Sequence, residues 1–394
     1  MTKNTILGGK LIRIVITGDN HLNLYSQKLG SRLSERRSRI GQTWWKTVQY
    51  AIDNKVDIYI NTGDLFDQLS PRNPPRATVI DAFRLLKEAG VQSFIIAGNH
   101  EAPRSEKEGV SPHVLLKRAK LARVFENRLE FEQDILEIQE KKISISGMSF
   151  NRNLTSREDP LEDKVIPNGA DLNIAVLHYS IEGIAPPIWE EPSIKLSSIE
   201  ANGDIQLFAM GHIHEHTEKK VNDSLIVYPG GTERYNFGES DKTTGFILAE
   251  YDEELEIKYI PVDSQPMKQV KLHTSNMDHG EINGSIRKVI TENSAEDSLF
   301  QLVLEGSIPF QLYREIEFTS IHTHGRALNF YFEYVDRITP KGEGLEFTQS
   351  EGLSPRKLLE ETSMEAVSKS KGTEQKLWQQ AMEYALSYYM KERE

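Results

Sequence analysis

The sequence reads as an α/β protein built on a mostly parallel sheet, followed by a smaller α+β unit and a helical tail. Three observations carry this reading. Short runs rich in Ile, Val and Leu, bounded by turn residues, recur through the first 265 or so residues, as buried strands do. Segments with helical apolar spacing separate the first three runs. Five polar motifs each follow such a run: Gly18-Asp19-Asn20-His21, Gly63-Asp64-Leu65-Phe66-Asp67, Gly98-Asn99-His100-Glu101, Leu177-His178 and Gly211-His212-Ile213-His214. Alternating strand and helix implies right-handed crossovers, so side chains at successive strand ends can converge on one point.

The predicted strands are 11–17, 56–61, 92–97, 143–147, 172–177, 205–210 and 225–228. Residues 40–54 put Ile40, Trp44, Val48, Ala51 and Ile52 on one helix face. Residues 78–89 repeat the pattern with Ile80, Phe83, Leu85 and Leu86, and Gly90 stops it. Residues 245–262 read as a hairpin turning at Asp252-Glu253-Glu254. Character changes over 263–267, after which 285–293 is a short helix and 299–304 and 328–334 alternate like half-exposed strands. Residues 340–352, rich in Gly and Glu, read as a linker. Beyond it, 354–368 and 373–393 read as two amphipathic helices. Ser354 is placed as N-cap of the first, with Pro355 at its first position. The second carries Leu377, Trp378, Ala381, Tyr384, Ala385, Tyr388 and Tyr389. The expected divisions are therefore 1–264, 265–339, 340–353 and 354–394.

With 394 residues, 38% hydrophobic and 27% charged, the composition is that of a soluble globular chain of two or three domains. No run reaches the length of a membrane-spanning helix, and the polar start followed by 11–17 is not a secretory signal. Zero cysteines exclude disulfides, thiolate ligands and thiol nucleophiles, and fit a reducing, cytoplasmic setting. A net charge of −12 argues against a chain that coats itself in nucleic acid by charge alone. It leaves a metal-centred site untouched, because bound divalent cations invert the local field.

Asp19, Asp64, Asn99, His21, His178, His212 and His214 together offer two carboxylates, an amide oxygen and four imidazoles. Asp19 and His21 alternate along an expected extended backbone and so share a face, as do His212 and His214. Gly63 lets the chain before Asp64 approach closely. Such mixed nitrogen and oxygen sets divide into two sites and suit manganese, iron, zinc or cobalt. Two cations about 3.5–4 Å apart activate water and stabilise a leaving oxygen at phosphorus. His100 is surplus to both sets and is the candidate acid or phosphate binder, with Glu101 placed to orient its ring. Asp67 is expected as an outer partner or loop cap. A single histidine after a strand is usually structural, but that account must be invoked five times here. It does hold elsewhere: His322-Thr323-His324 reads as an exposed strand or loop, and His216 as solvated. Arg32, Arg36, Arg37 and Arg39 read as a solvated basic face, with phosphate contact the sharper alternative. Arg72 and Arg76 follow Asp67 closely enough to touch substrate. One of Trp44 and Trp45 belongs to the core, and neither is taken as a base-stacking residue.

These motifs resemble the calcineurin-like metallophosphoesterase superfamily and, within it, the SbcD-type DNA repair exonucleases, relatives of the eukaryotic meiotic recombination nuclease. Leu65-Phe66, the segment Leu177-His178-Tyr179-Ser180-Ile181-Glu182-Gly183, and Tyr228-Pro229-Gly230-Gly231-Thr232-Glu233-Arg234 carry the narrower likeness. The resemblance implies two stacked mixed β-sheets flanked by helices, with a small α+β capping domain for DNA recognition and a C-terminal helix pair. It implies that Asp19, His21, Asp64 and His214 hold one ion, and that Asp64, Asn99, His178 and His212 hold the other, with His100 catalytic. Two divalent ions, manganese by family habit, would drive 3′-to-5′ exonuclease and endonuclease cleavage of DNA. The implied partners are DNA, an SMC-like ATPase of SbcC type gripping the C-terminal helices, and a second copy in a homodimer. Asn20 stands where tryptophan or leucine is usual, Gly231 where serine is common, and Glu101 where aspartate is commoner. None of these removes a ligand.

Two other functions compete. A phosphodiesterase or phosphatase for small nucleotides would keep the metals and change the substrate, and the acidic charge favours it slightly. A non-catalytic scaffold would use only the helical tail, and the intact ligand set argues against it.

Overall fold

The computed structural model describes residues 11–185 and 190–341, and in the C-terminal stretch 363–364, 367–368, 370–372 and 375–382. Most of the two expected C-terminal helices therefore lies outside the described residues, including Ser354, Pro355, Tyr384, Ala385, Tyr388 and Tyr389. By contact density the chain divides into two units, Met1–Gly306 with Arg314–Thr339, and Ser307–Tyr313 with Pro340–Glu394. In the second unit Leu377 and Trp378 are exposed. No helix among the described residues is long and apolar enough to cross a membrane.

The apolar runs form two six-stranded mixed sheets, where the residue pattern alone gave one mostly parallel sheet. The first has the order β14 (Leu255–Pro261), β13 (Gly245–Tyr251), β1 (Ile12–Thr17), β2 (Ile58–Asn61), β3 (Gln92–Ile96) and β4 (Arg123–Phe125). Its members β1 to β4 are parallel, and the β13–β14 hairpin joins antiparallel to β1. The second has the order β11 (Thr217–Val221), β12 (Ser224–Tyr228), β10 (Leu207–Gly211), β7 (Leu172–His178), β6 (Lys141–Gly147) and β5 (Glu132–Ile138). Its four inner strands are parallel, and the polar edges β5 and β11 are antiparallel. Those edges have one wet face and carry charges, so a search for apolar runs passes over them.

Period-two alternation decides which way each residue faces. Ile12, Ile14 and Ile16 point between the sheets and meet Ile58, Ile60, Ile145, Ile174 and Val176. Their neighbours Val15, Tyr59 and Ile95 point outward against two helices. These are α1 (Leu33–Asp53), which begins before the predicted residue 40, and α2 (Asn73–Glu88), with prolines in its first turn. α1 buries Ile40, Trp44, Val48 and Ala51, so Trp44 is the core tryptophan and Trp45 packs at the margin. The outer face of the second sheet packs Leu177, Phe208, Met210 and Tyr228 against loops and the short helix α4 (Leu196–Glu200).

Residues 267–341 form a three-stranded sheet of β15 (Met267–His273), β16 (Leu299–Pro309) and β17 (Tyr331–Lys341), in that order. Helix α5 (Ile282–Asn293) makes the crossover between the parallel strands β15 and β16, burying Ile282, Ile286 and Ile290. Helix α7 (Phe318–Leu328) carries His322-Thr323-His324. The expected exposed strand or loop there is corrected to a helix, whose Ile321 and Gly325 face inward.

The basic cluster at the start of α1 is also corrected. Arg36 is buried against Glu233 at 3.0 Å, and Arg39 pairs with Asp297 at 2.6 Å. Arg32 and Arg39 lie over the ring of Phe330, each 5.1 Å from its centroid. Arg36 and Arg39, about one turn apart, thus spend their charges on tying distant segments together, while Arg32 keeps a mostly solvated head.

Candidate metal centre

The motifs meet at the C-terminal ends of β1, β2, β3, β7 and β10. The β1 turn hydrogen-bonds to the β2 turn: Asp19, Asn20 and His21 donate backbone N–H groups to Gly63 and Asp64 carbonyls at 2.9–3.1 Å. This pairing corrects the expected extended backbone. Asp19, His21 and Asp64 have φ of 49°, 48° and 51°, and His212 has 90°. Each is a left-handed turn that L side chains rarely adopt. Glycines make room for it: a Cβ on Gly63 would lie 2.7 Å from His178 Nδ1, and one on Gly98 2.2 Å from Asp64 Oδ1. Asn20, the departure from the family habit, is buried and satisfied, donating to Thr17 and Thr232 hydroxyls at 3.0 and 3.2 Å and accepting from Asn61 at 2.9 Å.

All seven expected ligands come together. His21 Nε2 faces His214 Nε2 at 3.0 Å and lies 3.9 Å from Asp64 Oδ2, while His214 Nε2 is 3.9 Å from Asp19 Oδ1. On the other side, His178 Nε2 is 3.4 Å from Asp64 Oδ2 and 3.1 Å from Asn99 Oδ1, which is 3.3 Å from His212 Nδ1. Asp64 reaches both sides.

Each imidazole turns one nitrogen inward and rests the other on an outer group. His178 Nδ1 donates to the Thr62 carbonyl at 2.8 Å, and His214 Nδ1 meets Glu239 at 3.0 Å. His21 Nδ1 is 3.2 Å from Asp67, and His212 Nε2 is 2.9 Å from Glu191. The last two pairs stand at ion-pair distance but out of hydrogen-bond alignment, leaving four buried polar atoms without a hydrogen bond. Such outer contacts fix tautomer and ring orientation in metal-binding histidines. Asp19, Asp64 and Asp67 are buried, and among the described residues no lysine or arginine pairs with them. Buried carboxylates need a compensating charge, so this donor set fits divalent cations.

Electrostatics in the metal-free site follow from that crowding. Burial opposes charge on His178, but Asp64 and then Asp19 outweigh it and push the imidazole up to about 9. His214 also rises to about 9 against burial, through Glu239 and Asp19. Burial works against ionised Asp64 too, yet His178, His100 and His21 hold it well below the carboxylate range.

His100 is the most open imidazole of the group, its side chain 31% exposed. Its Nδ1 donates to the Asp67 carbonyl at 3.0 Å, and its Nε2 is 4.0 Å from Asp64 Oδ2. It lines a solvent-open hollow of about 430 Å³ with Tyr25, Asp67, Gln68 and Tyr235. Glu101 does not orient it. That carboxylate is fully buried, accepts from Phe66 and Gly98 N–H at 2.6 and 3.2 Å, and meets His113 at 2.9 Å. Asp67 fills both roles expected of it, against His21 and as acceptor for Tyr25 N–H at 2.7 Å. His216 is not solvated: it stacks on Tyr259 at 4.1 Å and meets the Tyr228 carbonyl at 3.0 Å. Arg72 precedes α2 and Arg76 lies in its first turns, and among the described residues no hydrogen bond or ion pair joins either to the cluster.

Sequence reasoning missed Glu239, Tyr235 and Glu191. The Tyr235 ring lies 4.5 Å from that of His21. Glu239 sits in a short turn capped by Asn236, close after the Tyr-Pro-Gly-Gly-Thr-Glu-Arg segment, which was the available signal. Glu191, in Trp-Glu-Glu-Pro, looks like any polar loop residue.

Two mixed sheets whose strand ends gather aspartates and histidines define a metallophosphoesterase architecture. Residues 12–216 match the calcineurin-like phosphoesterase family, and the chain belongs to it. Its curated relatives include DNA double-strand break repair protein Mre11 of Methanopyrus kandleri, 29% identical over 57% of this chain and 52% of that protein. The Mre11 of Methanocaldococcus jannaschii is 27% identical over 55% of each chain. That of Sulfolobus acidocaldarius is 24% identical over 79% of this chain and 80% of that protein. The chain spans about half the length of the first two.

Proposed function

We propose that this chain is a metal-dependent DNA nuclease of double-strand-break repair, hydrolysing phosphodiesters at a two-cation site. The single observation behind it is the ring of four imidazoles, each with one nitrogen turned inward, around buried carboxylates that pair with no lysine or arginine among the described residues. The names of the relatives support DNA as substrate. In this reading Asp19, His21, Asp64 and His214 hold one ion and Asp64, Asn99, His178 and His212 the other. Bound divalent ions, manganese by family habit, would supply Lewis acidity and an activated water. His100 Nε2 carries a proton to the leaving oxygen, while its Nδ1 stays on the Asp67 carbonyl. We assign residues 265–339 to capping and DNA recognition, 340–353 to a linker, and 354–394 to docking an SMC-like ATPase in the cytoplasm. A homodimer belongs to the same proposal. Arg72 and Arg76 are placed on the substrate side.

The test is a matrix of metals against substrates on the purified chain. Mn²⁺ should support cleavage of linear DNA, and EDTA should end it. Turnover of cyclic nucleotides with DNA left intact would establish the small-nucleotide reading instead, which the net charge of −12 favours. His100→Ala should keep its Mn²⁺ signal in electron paramagnetic resonance and lose about 10²–10⁴ in rate. Cleavage at the parent rate would remove His100 from its role.

A further inference from the structure

A cavity of about 530 Å³ opens between α1, α2 and the turn after His21. Its size is within the roughly 300–1,000 Å³ of small-molecule sites. Its wall combines two chemistries that the metal cluster does not use. One is flat and apolar: the half-buried Trp45 indole, with Pro74 and Pro75. The other is cationic: Arg37 and Arg72 both line it, and no carboxylate does. Arg37 is held in place by its Nε–H, which donates to the Leu24 carbonyl at 2.7 Å. Among the described residues neither guanidinium has a carboxylate within ion-pair distance. Arg37 is lowered from its ordinary range first by burial and then by the charge of Arg72, with the more weakly felt Asp67 carboxylate opposing both. In a chain of net charge −12, two guanidiniums lining one cavity that no carboxylate lines point to an anionic ligand. The apolar wall asks for more than inorganic phosphate. A nucleoside phosphate satisfies both, because every base offers a face to an indole and every linkage an anion to arginine. Leu22, in the cavity wall, directly follows His21, so the cavity adjoins the turn that carries that metal-site imidazole.

We propose that this cavity is a nucleotide subsite, in which Arg37 and Arg72 hold a phosphate and Trp45, with Pro74, stacks the base. The proposal rests on the nuclease reading for its ligand and extends it by naming where a flanking nucleotide of the substrate strand sits. It also assigns a base-stacking role to Trp45.

The experiment uses the full chain in EDTA, so that binding is separated from hydrolysis. Pentadeoxyadenylate and an abasic pentamer of equal charge are titrated while tryptophan fluorescence and anisotropy of labelled strands are read. The abasic strand should bind about tenfold more weakly, and Trp45→Ala and Arg72→Glu should each lose about tenfold for the base-bearing strand. Arg72 is exposed, so its substitution keeps the fold even if Trp45→Ala melts early. Both variants are checked for parental Mn²⁺ affinity. A correctly folded Arg72→Glu that binds like the parent, or equal binding of the two strands, overturns the subsite. Mn²⁺-dependent hydrolysis of bis(p-nitrophenyl) phosphate by the parent is measured alongside, because that ester is too small to need the cavity. If the ester is hydrolysed and the cavity variants bind normally, the subsite fails alone. If the ester is untouched while the strand binds and the variants lose it, the catalytic reading fails alone.

Discussion

Glu233→Gln should destabilise the chain far more than a neutral-for-charged swap on a surface. The Arg36 side chain is 1% exposed and that of Glu233 3%. Their charges meet at 3.0 Å, and Arg36 also donates to Gln265 Oε1 at 3.0 Å and to the Arg234 carbonyl at 2.6 Å. Glu233 in turn accepts N–H groups from Gln265 and Arg234, each at 3.2 Å. Burial lowers the guanidinium, and Glu233 is its main counterweight. Removing one partner of a buried pair costs about 3–5 kcal/mol, because the other charge stays behind. Glutamine keeps the volume and an acceptor oxygen, which places the loss near the lower end, about 3 kcal/mol. At about 2–4 °C per kcal/mol the midpoint should fall by roughly 6–12 °C in a calorimetric melt. The double variant Arg36→Met with Glu233→Leu should recover part of this, since an apolar pair leaves no stranded charge. The same loop carries Thr232, which holds Asn20, and Tyr235, which packs on His21, so Mn²⁺ affinity should fall as well. A Glu233→Gln midpoint within about 1 °C of the parent would refute the pair as the anchor of this loop.

Two further outcomes follow from the site. Gly98→Ala puts a Cβ 2.2 Å from Asp64 Oδ1 and 2.6 Å from Asp64 N, so the Asp64 carboxylate must shift. Mn²⁺ affinity should drop by about tenfold or more in titration calorimetry, and a parental value would show that Asp64 has freedom the packing does not suggest. For pH, the metal-free imidazoles of His178 and His214 stand at about 9, above their ordinary 6.5. Their protonated forms therefore stabilise the metal-free fold below 6.5, and that contribution is lost as pH rises toward 9. Metal needs the neutral rings, so the melting-temperature gain on adding Mn²⁺ should widen over that window. A gain that stays flat from pH 6.5 to 8.5 contradicts the sign.

The first half of the chain was legible because apolar runs and glycine turns are local signals. β1, β2, β3, β7 and β10 fall within one or two residues of the predicted ends. What local signals could not supply was the partnership between segments. Nothing around Arg36 announces Glu233, nearly two hundred positions on, so a buried ion pair looked like a solvated face. Glu101 follows His100 in sequence, yet the turn sends its carboxylate down onto Phe66 and Gly98 N–H. β5 and β11 alternate polar and apolar residues at sheet margins, where charge is an advantage, so their composition reads as loop. β15 and α7 carry mixed faces of the same kind.

The left-handed φ values at Asp19, His21, Asp64 and His212 have a practical consequence for dissecting this centre. Asparagine, aspartate and histidine tolerate that conformation better than alanine does. An alanine scan would therefore strip a donor atom and burden the main chain at one stroke, exaggerating every residue it touches. Asp64→Asn and His21→Asn suit the same chain path and keep a polar side chain, so they isolate the chemistry, whereas glycine at the same places would remove the donor atom without alanine's strain at positive φ.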